Sequence, residues 1–252
     1  IVEQTKRHSF IASLLGIPHI VYCINKMDLV DYSQDVYNKL VNDLEAFSAK
    51  LETKDVRFIP ISALKGDNVV HRSEKMDWFE GATLMHTLET VHIASDHNHI
   101  DCRFPIQNII RPQTTEYHDY RGYAGRIAGG VFKKGDTIMV LPSGFTSKIK
   151  SIDTFGGEID EAFAPMSVAM TLEDDIDISR GDMIVRENNK PEVSQDIEAM
   201  ICWMGENPLK EKGKYALKHT SKDARCMVKE IKYKVDINTL HRNEEDKVIA
   251  SN

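Results

Sequence analysis

Ile20-Val21-Tyr22-Cys23-Ile24-Asn25-Lys26-Met27-Asp28 is the stretch whose reading decides the fold. An unbroken apolar run passes directly into four residues that fit Asn-Lys-x-Asp. A short continuous apolar run predicts a strand buried on both faces of a parallel sheet, here over residues 19–24. Ligands of open α/β sheets bind beyond the carboxyl ends of such strands, which is where this polar tail falls. Working outward, residues 3–15 carry Phe10, Ile11, Leu14 and Leu15 at helical spacing, and Gly16 and Pro18 follow as stop signals. Downstream, Asp31 or Ser33 can cap a helix whose apolar stripe is Val36, Tyr37, Leu40, Val41, Leu44 and Phe47. Residues 56–61 then read as a second strand. Strand, helix, strand makes one right-handed crossover with parallel strands. A further helix is expected over 83–94, with Leu84, Leu88 and Val91 on one side.

Beyond about residue 96 helical periodicity stops. Short β-rich runs begin at 102–110, 122–128, 137–141, 147–152, 167–172 and 183–185. Turn signals separate them: Lys133-Lys134-Gly135-Asp136, Pro142-Ser143-Gly144, Gly156-Gly157 and Arg180-Gly181-Asp182. Many short strands with close turns predict a small barrel. Glu187-Asn188-Asn189-Lys190-Pro191 reads as a linker. A second β-rich block starts at Ile197, with runs at 200–204, 214–218 and 225–235, and stops short of what a closed barrel needs. The expected fold class is therefore α/β plus all-β: the C-terminal part of a nucleotide-binding domain over 1–96, a β-barrel over 97–188, and a partial β-barrel over 189–252.

The 252 residues are 41% hydrophobic and 28% charged, an ordinary soluble composition. Lys and Arg number 32 against 39 Asp and Glu, a formal charge of −7. An acidic chain read as having no basic block is a poor candidate for non-specific nucleic-acid binding. No apolar run reaches the ~18 residues of a membrane span. No signal-peptide pattern and no initiator Met stand at Ile1, so a cytoplasmic fragment is expected. Cys23, Cys102, Cys202 and Cys226 show no zinc spacing and are expected as reduced thiols packed in strands.

The chemistry of Asn25-Lys26-Met27-Asp28 fits guanine. The Asp28 carboxylate can accept from N1–H and from the 2-amino group together, and adenine offers neither donor. Hydrogen bonds to an ionised group contribute roughly 1.5–3 kcal/mol each, so an unpaired carboxylate rejects adenine. The Asn25 amide can donate to the N7/O6 edge or tie its loop to a neighbour, and the Lys26 stem can lie on the base. Ser62-Ala63-Leu64-Lys65 ends the second strand in the same way. There the Ala63 N–H can donate to guanine O6 and the Lys65 stem can cover the other face of the base. No Gly-x-x-x-x-Gly-Lys-Ser/Thr loop and no Asp-x-x-Gly element that reaches magnesium occurs in the 252 residues. As written, the sequence holds a guanine half-site without phosphoryl-transfer groups, and no GTPase activity is expected from these residues alone.

Guanine motifs followed by two β-rich blocks resemble the translation-factor class of GTPases. Within it, the chain resembles the GTPase (large) subunit of bacterial sulfate adenylyltransferase, or ATP sulfurylase. The matching residues include Gln4-Thr5-Lys6-Arg7-His8-Ser9-Phe10-Ile11-Ala12, Asn25-Lys26-Met27-Asp28-Leu29-Val30-Asp31 and Ile61-Ser62-Ala63-Leu64-Lys65-Gly66-Asp67-Asn68. Arg103-Phe104-Pro105, Tyr120-Arg121-Gly122-Tyr123-Ala124-Gly125, Leu141-Pro142-Ser143-Gly144, Ile176-Asp177-Ile178-Ser179-Arg180-Gly181-Asp182 and Val235-Asp236-Ile237-Asn238-Thr239-Leu240 continue the match. The resemblance implies an enzyme subunit that hydrolyses GTP. It would work in a heterodimer with a catalytic subunit that joins ATP and sulfate into adenosine 5′-phosphosulfate and pyrophosphate, in sulfate assimilation. It implies guanine contacts from Asn25, Lys26, Met27, Asp28, Ser62, Ala63 and Leu64, with GTP as nucleotide. Mg2+ is expected only with a phosphate-binding region that would precede Ile1. A tRNA-binding elongation factor and a non-hydrolysing interaction module are the alternatives.

Other groups read more plainly. His97-Asn98-His99 with Asp96 and Asp101 is expected as a linker rather than a metal site. Glu173-Asp174-Asp175-Asp177 is expected as a solvated acidic loop. Arg121, Arg126 and Lys133 are expected at a barrel rim and turn.

Overall fold

A computed structural model describes residues 2–53, 55–93, 97–112, 119–237 and 239–250. The chain divides into two compact units, residues 1–92 with 199–211 and 230–252, and residues 93–198 with 212–229.

In the first unit, α1 (Glu3–Leu14) ends before Gly16, whose φ of +69° is the left-handed conformation glycine adopts without steric cost. β1 (His19–Ile24) and β2 (Asp55–Pro60) pair in parallel, His19 opposite Asp55 through Ile24 opposite Pro60. The helix between them, α2 (Gln34–Ser48), is capped by Ser33, whose Oγ accepts the Val36 N–H at 3.4 Å. Tyr37, Leu40, Val41 and Leu44 of its stripe pack with Ile20, Tyr22, Ile24 and Phe58 of the strands. The Tyr22 and Phe58 rings stack at 5.4 Å, and the Tyr37 hydroxyl donates to the Phe58 carbonyl at 3.1 Å.

Two expectations fail here. β1 is covered on one face only: Tyr22 and Ile24 are buried, and Cys23 between them is exposed. α2 covers the even-numbered side chains, and period-two alternation turns Cys23 the other way. So not every thiol is packed away, although Cys102 is buried and Cys202 and Cys226 are half-buried. The third helix, α3 (Leu84–Thr90), is shorter than expected and buries Thr83 and Thr87, while Leu88 is exposed. Ala94, its expected end, lies outside the described residues.

In the second unit the expected runs form β3 (Arg103–Pro105), β4 (Asn108–Ile110), β5 (Gly122–Arg126), β7 (Thr137–Leu141), β8 (Thr146–Thr154), β11 (Ser167–Leu172) and β12 (Met183–Arg186). Three short strands were not foreseen: β6 (Val131–Lys133), β9 (Gly157–Ile159) and β10 (Glu161–Phe163). The main sheet runs β3-β12-β7-β8-β11-β5-β4, with β9 beside β8 and a separate β6–β10 pair. Arg103 also pairs with Gly129 just past β5, so β3 at one end of the path meets the chain leaving β5, one strand in from the other end, and the sheet curls into a barrel. Phe104, Phe132, Ile138, Val140, Ile152, Met170 and Ile184 fill it, each fully buried. At the end of the path the expected linker is anchored: Arg103 Nη1 donates to Asn189 Oδ1 at 2.8 Å, and Asn189 Nδ2 donates to Asp101 Oδ1 at 3.1 Å.

The last segment is made of two-stranded pairs: β13 (Leu209–Lys210) with β18 (Val248–Ile249), β16 (Lys234–Val235) with β17 (Arg242–Asn243), and the hairpin β14 (Lys214–His219) with β15 (Lys222–Met227). The strand expected over residues 200–204 is absent, and Met200, Ile201 and Met204 are exposed. Apolar composition mimicked a strand there, and no described strand offers it hydrogen-bond partners. Residues 210–234 carry nine Lys and Arg against three Asp and Glu, a basic stretch that the chain-wide charge conceals. Among the described residues no helix is long and apolar enough to cross a membrane.

Candidate guanine-binding site

The parallel register of β1 and β2 brings the two polar loops side by side. The ladder continues past both strands: Ile61 N–H donates to Ile24 O at 2.9 Å, and Met27 N–H to Ile61 O at 3.2 Å. Asn25, Lys26, Asp28, Leu29 and Leu64 line a cleft of about 200 Å³. Lys26 takes φ +68°, a conformation that costs a non-glycine residue roughly 1–2 kcal/mol. The Asn25 side chain holds it there, its Oδ1 accepting the Lys26 N–H at 2.7 Å.

The same oxygen accepts the Ala63 N–H at 3.0 Å, so Asn25 ties the first loop to the second. This revises the expected use of the Ala63 N–H on guanine O6: that donor is spent on Asn25. The Asn25 NH2 group is left as the donor for the base edge. Ser62, fully buried, donates from Oγ to Asp28 Oδ1 at 2.6 Å and accepts the Lys65 N–H at 3.3 Å. One carboxylate oxygen is thereby fixed, and Asp28 keeps Oδ2 and further lone pairs for N1–H and the 2-amino group. Met27 does not line the cleft. It is buried with Tyr22, Ile24, Leu44 and Met76 and anchors the loop from below. Leu64 and Lys65 are exposed, and Leu64 lines the cleft.

Sequence reasoning missed a second set of residues. The Tyr32 hydroxyl donates to Asp67 Oδ2 at 2.9 Å, and Ser73 Oγ donates to Asp67 Oδ1 at 2.8 Å. Lys75 Nζ donates to the Tyr32 hydroxyl at 3.2 Å and sits 4.9 Å from its ring centroid. That hydrogen bond, with the nearby Asp67 and Asp28 charges, pushes the Lys75 ammonium above its usual pKa. Asn68, at φ +56° and buried, bonds the Pro60 carbonyl at 3.0 Å and the Ser73 N–H at 2.9 Å. Asp67 and Asn68 stand in the sequence only within the stretch Ile61–Asn68 that carries the family resemblance, and nothing there marks these roles.

Elsewhere the plain readings divide. The Arg121 guanidinium contacts Asp175 and reaches Asp177 at 3.5 Å, so part of the acidic loop is paired within the chain. Lys133 Nζ lies 2.7 Å from Glu161 on the neighbouring strand. Among the described residues no group of three His, Cys, Asp or Glu side chains converges as metal ligands. Asp96 and His118 lie outside them.

Comparison with known proteins gives this geometry a context. Residues 1–102 match the family described as elongation factor Tu GTP binding domain, and residues 196–252 match the GTP-eEF1A C-terminal domain-like family. The chain is 48% identical over 245 residues to the bifunctional enzyme CysN/CysC of Mycobacterium tuberculosis, covering 97% of this chain and 40% of that protein. It is 49% identical over 240 residues to sulfate adenylyltransferase subunit 1 of Bacteroides thetaiotaomicron, covering 95% of this chain and 49% of that one. It thus spans about half the length of the curated relatives it matches, or somewhat less. Among solved structures, Sup35 complexed with GMPPNP is similar in fold, with TM-score 0.51 and 21% identity over 99% of this chain and 62% of that one. Along nearly its whole length the chain is similar to about half the length of the sulfate adenylyltransferase subunit 1 sequences, and its first 102 residues match the elongation factor Tu GTP binding domain family.

Proposed function

We propose that this chain is the guanine-recognising and C-terminal part of the GTPase subunit of a sulfate adenylyltransferase. In this reading GTP hydrolysis drives a partner subunit that converts ATP and sulfate into adenosine 5′-phosphosulfate and pyrophosphate. The observation that carries it is the pairing of two loops at adjacent strand ends, with Asp28 held by Ser62 at 2.6 Å and Asn25 held by Ala63 at 3.0 Å. Both side chains point into one cleft, and their spare atoms are an acceptor for N1–H and the 2-amino group and a donor for the opposite edge. The names of the relatives supply the reaction and the expectation of a partner subunit.

Asp28→Asn tests the nucleotide assignment. In the full-length protein that carries this chain, the amide keeps one oxygen for N1–H, loses the acceptor for the 2-amino group and gains a donor for a 2-oxo group. GTP should weaken by roughly 10- to 100-fold, the loss of one charge-assisted hydrogen bond, and xanthosine triphosphate should become the preferred nucleotide. Nucleotide-dependent formation of adenosine phosphosulfate, with the partner subunit present, should change preference in parallel. An unchanged preference would remove Asp28 from the site. A wild-type activity indifferent to GTP would remove the regulatory role.

A further inference from the structure

We propose that Tyr32 and Asp67 form a latch that positions the guanine clamp, an inference that rests on the nucleotide reading above. Two chain segments meet at the cleft, 25–32 and 62–67. The clamp joins them twice, through Ser62 Oγ to Asp28 Oδ1 and through the Ala63 N–H to Asn25 Oδ1. The latch joins the same segments a third time, through the Tyr32 hydroxyl and Asp67 Oδ2. Each segment is also closed on itself. Tyr32 N–H donates to Met27 O at 2.9 Å, and Ser62 N–H donates to Asp67 O at 3.1 Å. Asp28, Ser62, Asp67 and Tyr32 thus make a ring in which a shift of one member moves the next.

Neither latch residue lines the cleft. The Asp67 carboxylate is committed to Tyr32 and Ser73, and the Tyr32 hydroxyl to Asp67 and Lys75. The Tyr32 carbonyl is fixed as well, accepting the Trp78 indole N–H at 3.1 Å. They are positioning residues, acting on the base through Ser62 and Asp28. Tyr32 takes φ +55° beside Asp31 at +47°, two consecutive left-handed non-glycine residues. The fold accepts that strained turn and in return places the hydroxyl on Asp67. The consequence is a specificity role. Discrimination of guanine from hypoxanthine depends on whether Asp28 reaches the 2-amino group, and displacements of about 1 Å are enough to spoil such a contact.

Tyr32→Phe removes the hydroxyl and keeps the ring over which Lys75 lies. Asp67→Asn keeps one oxygen able to accept from Tyr32 and serves as the conservative partner. Amide hydrogen exchange on the ligand-free chain reads the ring directly. In Tyr32→Phe the Ala63 and Lys65 amides, which bond Asn25 and Ser62, should exchange roughly ten-fold faster, with Ile24 and Ile59 unchanged and Asp67→Asn intermediate. The ratio of GDP to IDP affinity should fall about three- to ten-fold in Tyr32→Phe and less in Asp67→Asn. Unchanged exchange at Ala63 and Lys65, or acceleration spread evenly through the core, would overturn the latch. Asp28→Ala separates the two ideas. If it erases the GDP over IDP preference and Tyr32→Phe leaves that preference intact, the latch falls and the guanine site stands. If wild type shows no such preference, the guanine reading falls, and the exchange rates still decide whether the ring is coupled.

Discussion

Asn25 illustrates what a residue type can and cannot announce. Its place in Asn-Lys-x-Asp marked it for the site, and of its two possible uses the structure takes the loop tie, with Oδ1 spanning Lys26 and Ala63. Geometry alone could settle that, because both uses suit an amide. His19, Asp55 and Arg57, at the other end of the same strands, carry a clearer electrostatic consequence. The Arg57 guanidinium and His19 ring both bond Asp55, at 3.0 Å and 2.9 Å, and hold its carboxyl below the usual range. A carboxyl with a depressed folded-state pKa stabilises the fold above the ordinary carboxylate pKa. That contribution is lost as pH falls through the folded value. Urea midpoints measured from pH 6 down to pH 2 should therefore drop less steeply for Asp55→Asn than for wild type. Parallel curves would show that the pair contributes nothing, as many exposed pairs do.

At the level of elements, legibility followed periodicity. α2 carries most of its stripe on one face and a Ser cap, and its start was readable to within two residues, between Asp31 and Ser33, although Val36 of the stripe is exposed. Ser33→Ala should lower stability by about 0.5–2 kcal/mol, the usual effect of losing an N-cap, seen as a reduced urea midpoint with unchanged slope. A midpoint equal to wild type would mean that the 3.4 Å contact is not a working cap. α3 was overcalled because Leu84 and Leu88 share a helical face, whereas its buried positions are Thr87 and the cap Thr83. β6, β9 and β10 were missed because three-residue strands are too short to show alternation. The turns between strands were legible because their glycines are needed: Gly135, Gly144, Gly157 and Gly181 all take positive φ. The 200–204 run reads as a strand by composition, but a strand exists only where a neighbour supplies hydrogen bonds.

For the molecule as a whole, sequence reasoning recovered the order of architectures, parallel crossover first and barrel second, and the likeness to sulfate adenylyltransferase subunit 1 sequences. It did not recover the basic stretch at 210–234, which an acidic average concealed, nor the Tyr32–Asp67–Ser73 network, whose members lie 35 and 6 residues apart. Contacts at such separations follow from the folded register and not from any local pattern. The central claim is that the cleft between Asn25, Asp28 and Leu64 reads guanine. Two charge-assisted hydrogen bonds contribute roughly 3–6 kcal/mol before association costs, which places base recognition alone near millimolar affinity. The decisive measurement is an NMR titration of the chain with millimolar GDP and, in parallel, ADP. GDP should shift the Asn25 side-chain amide and the Ala63 and Lys65 backbone amides, and ADP should leave them in place. Equal shifts from ADP, or none from GDP, would contradict the assignment of this cleft to guanine.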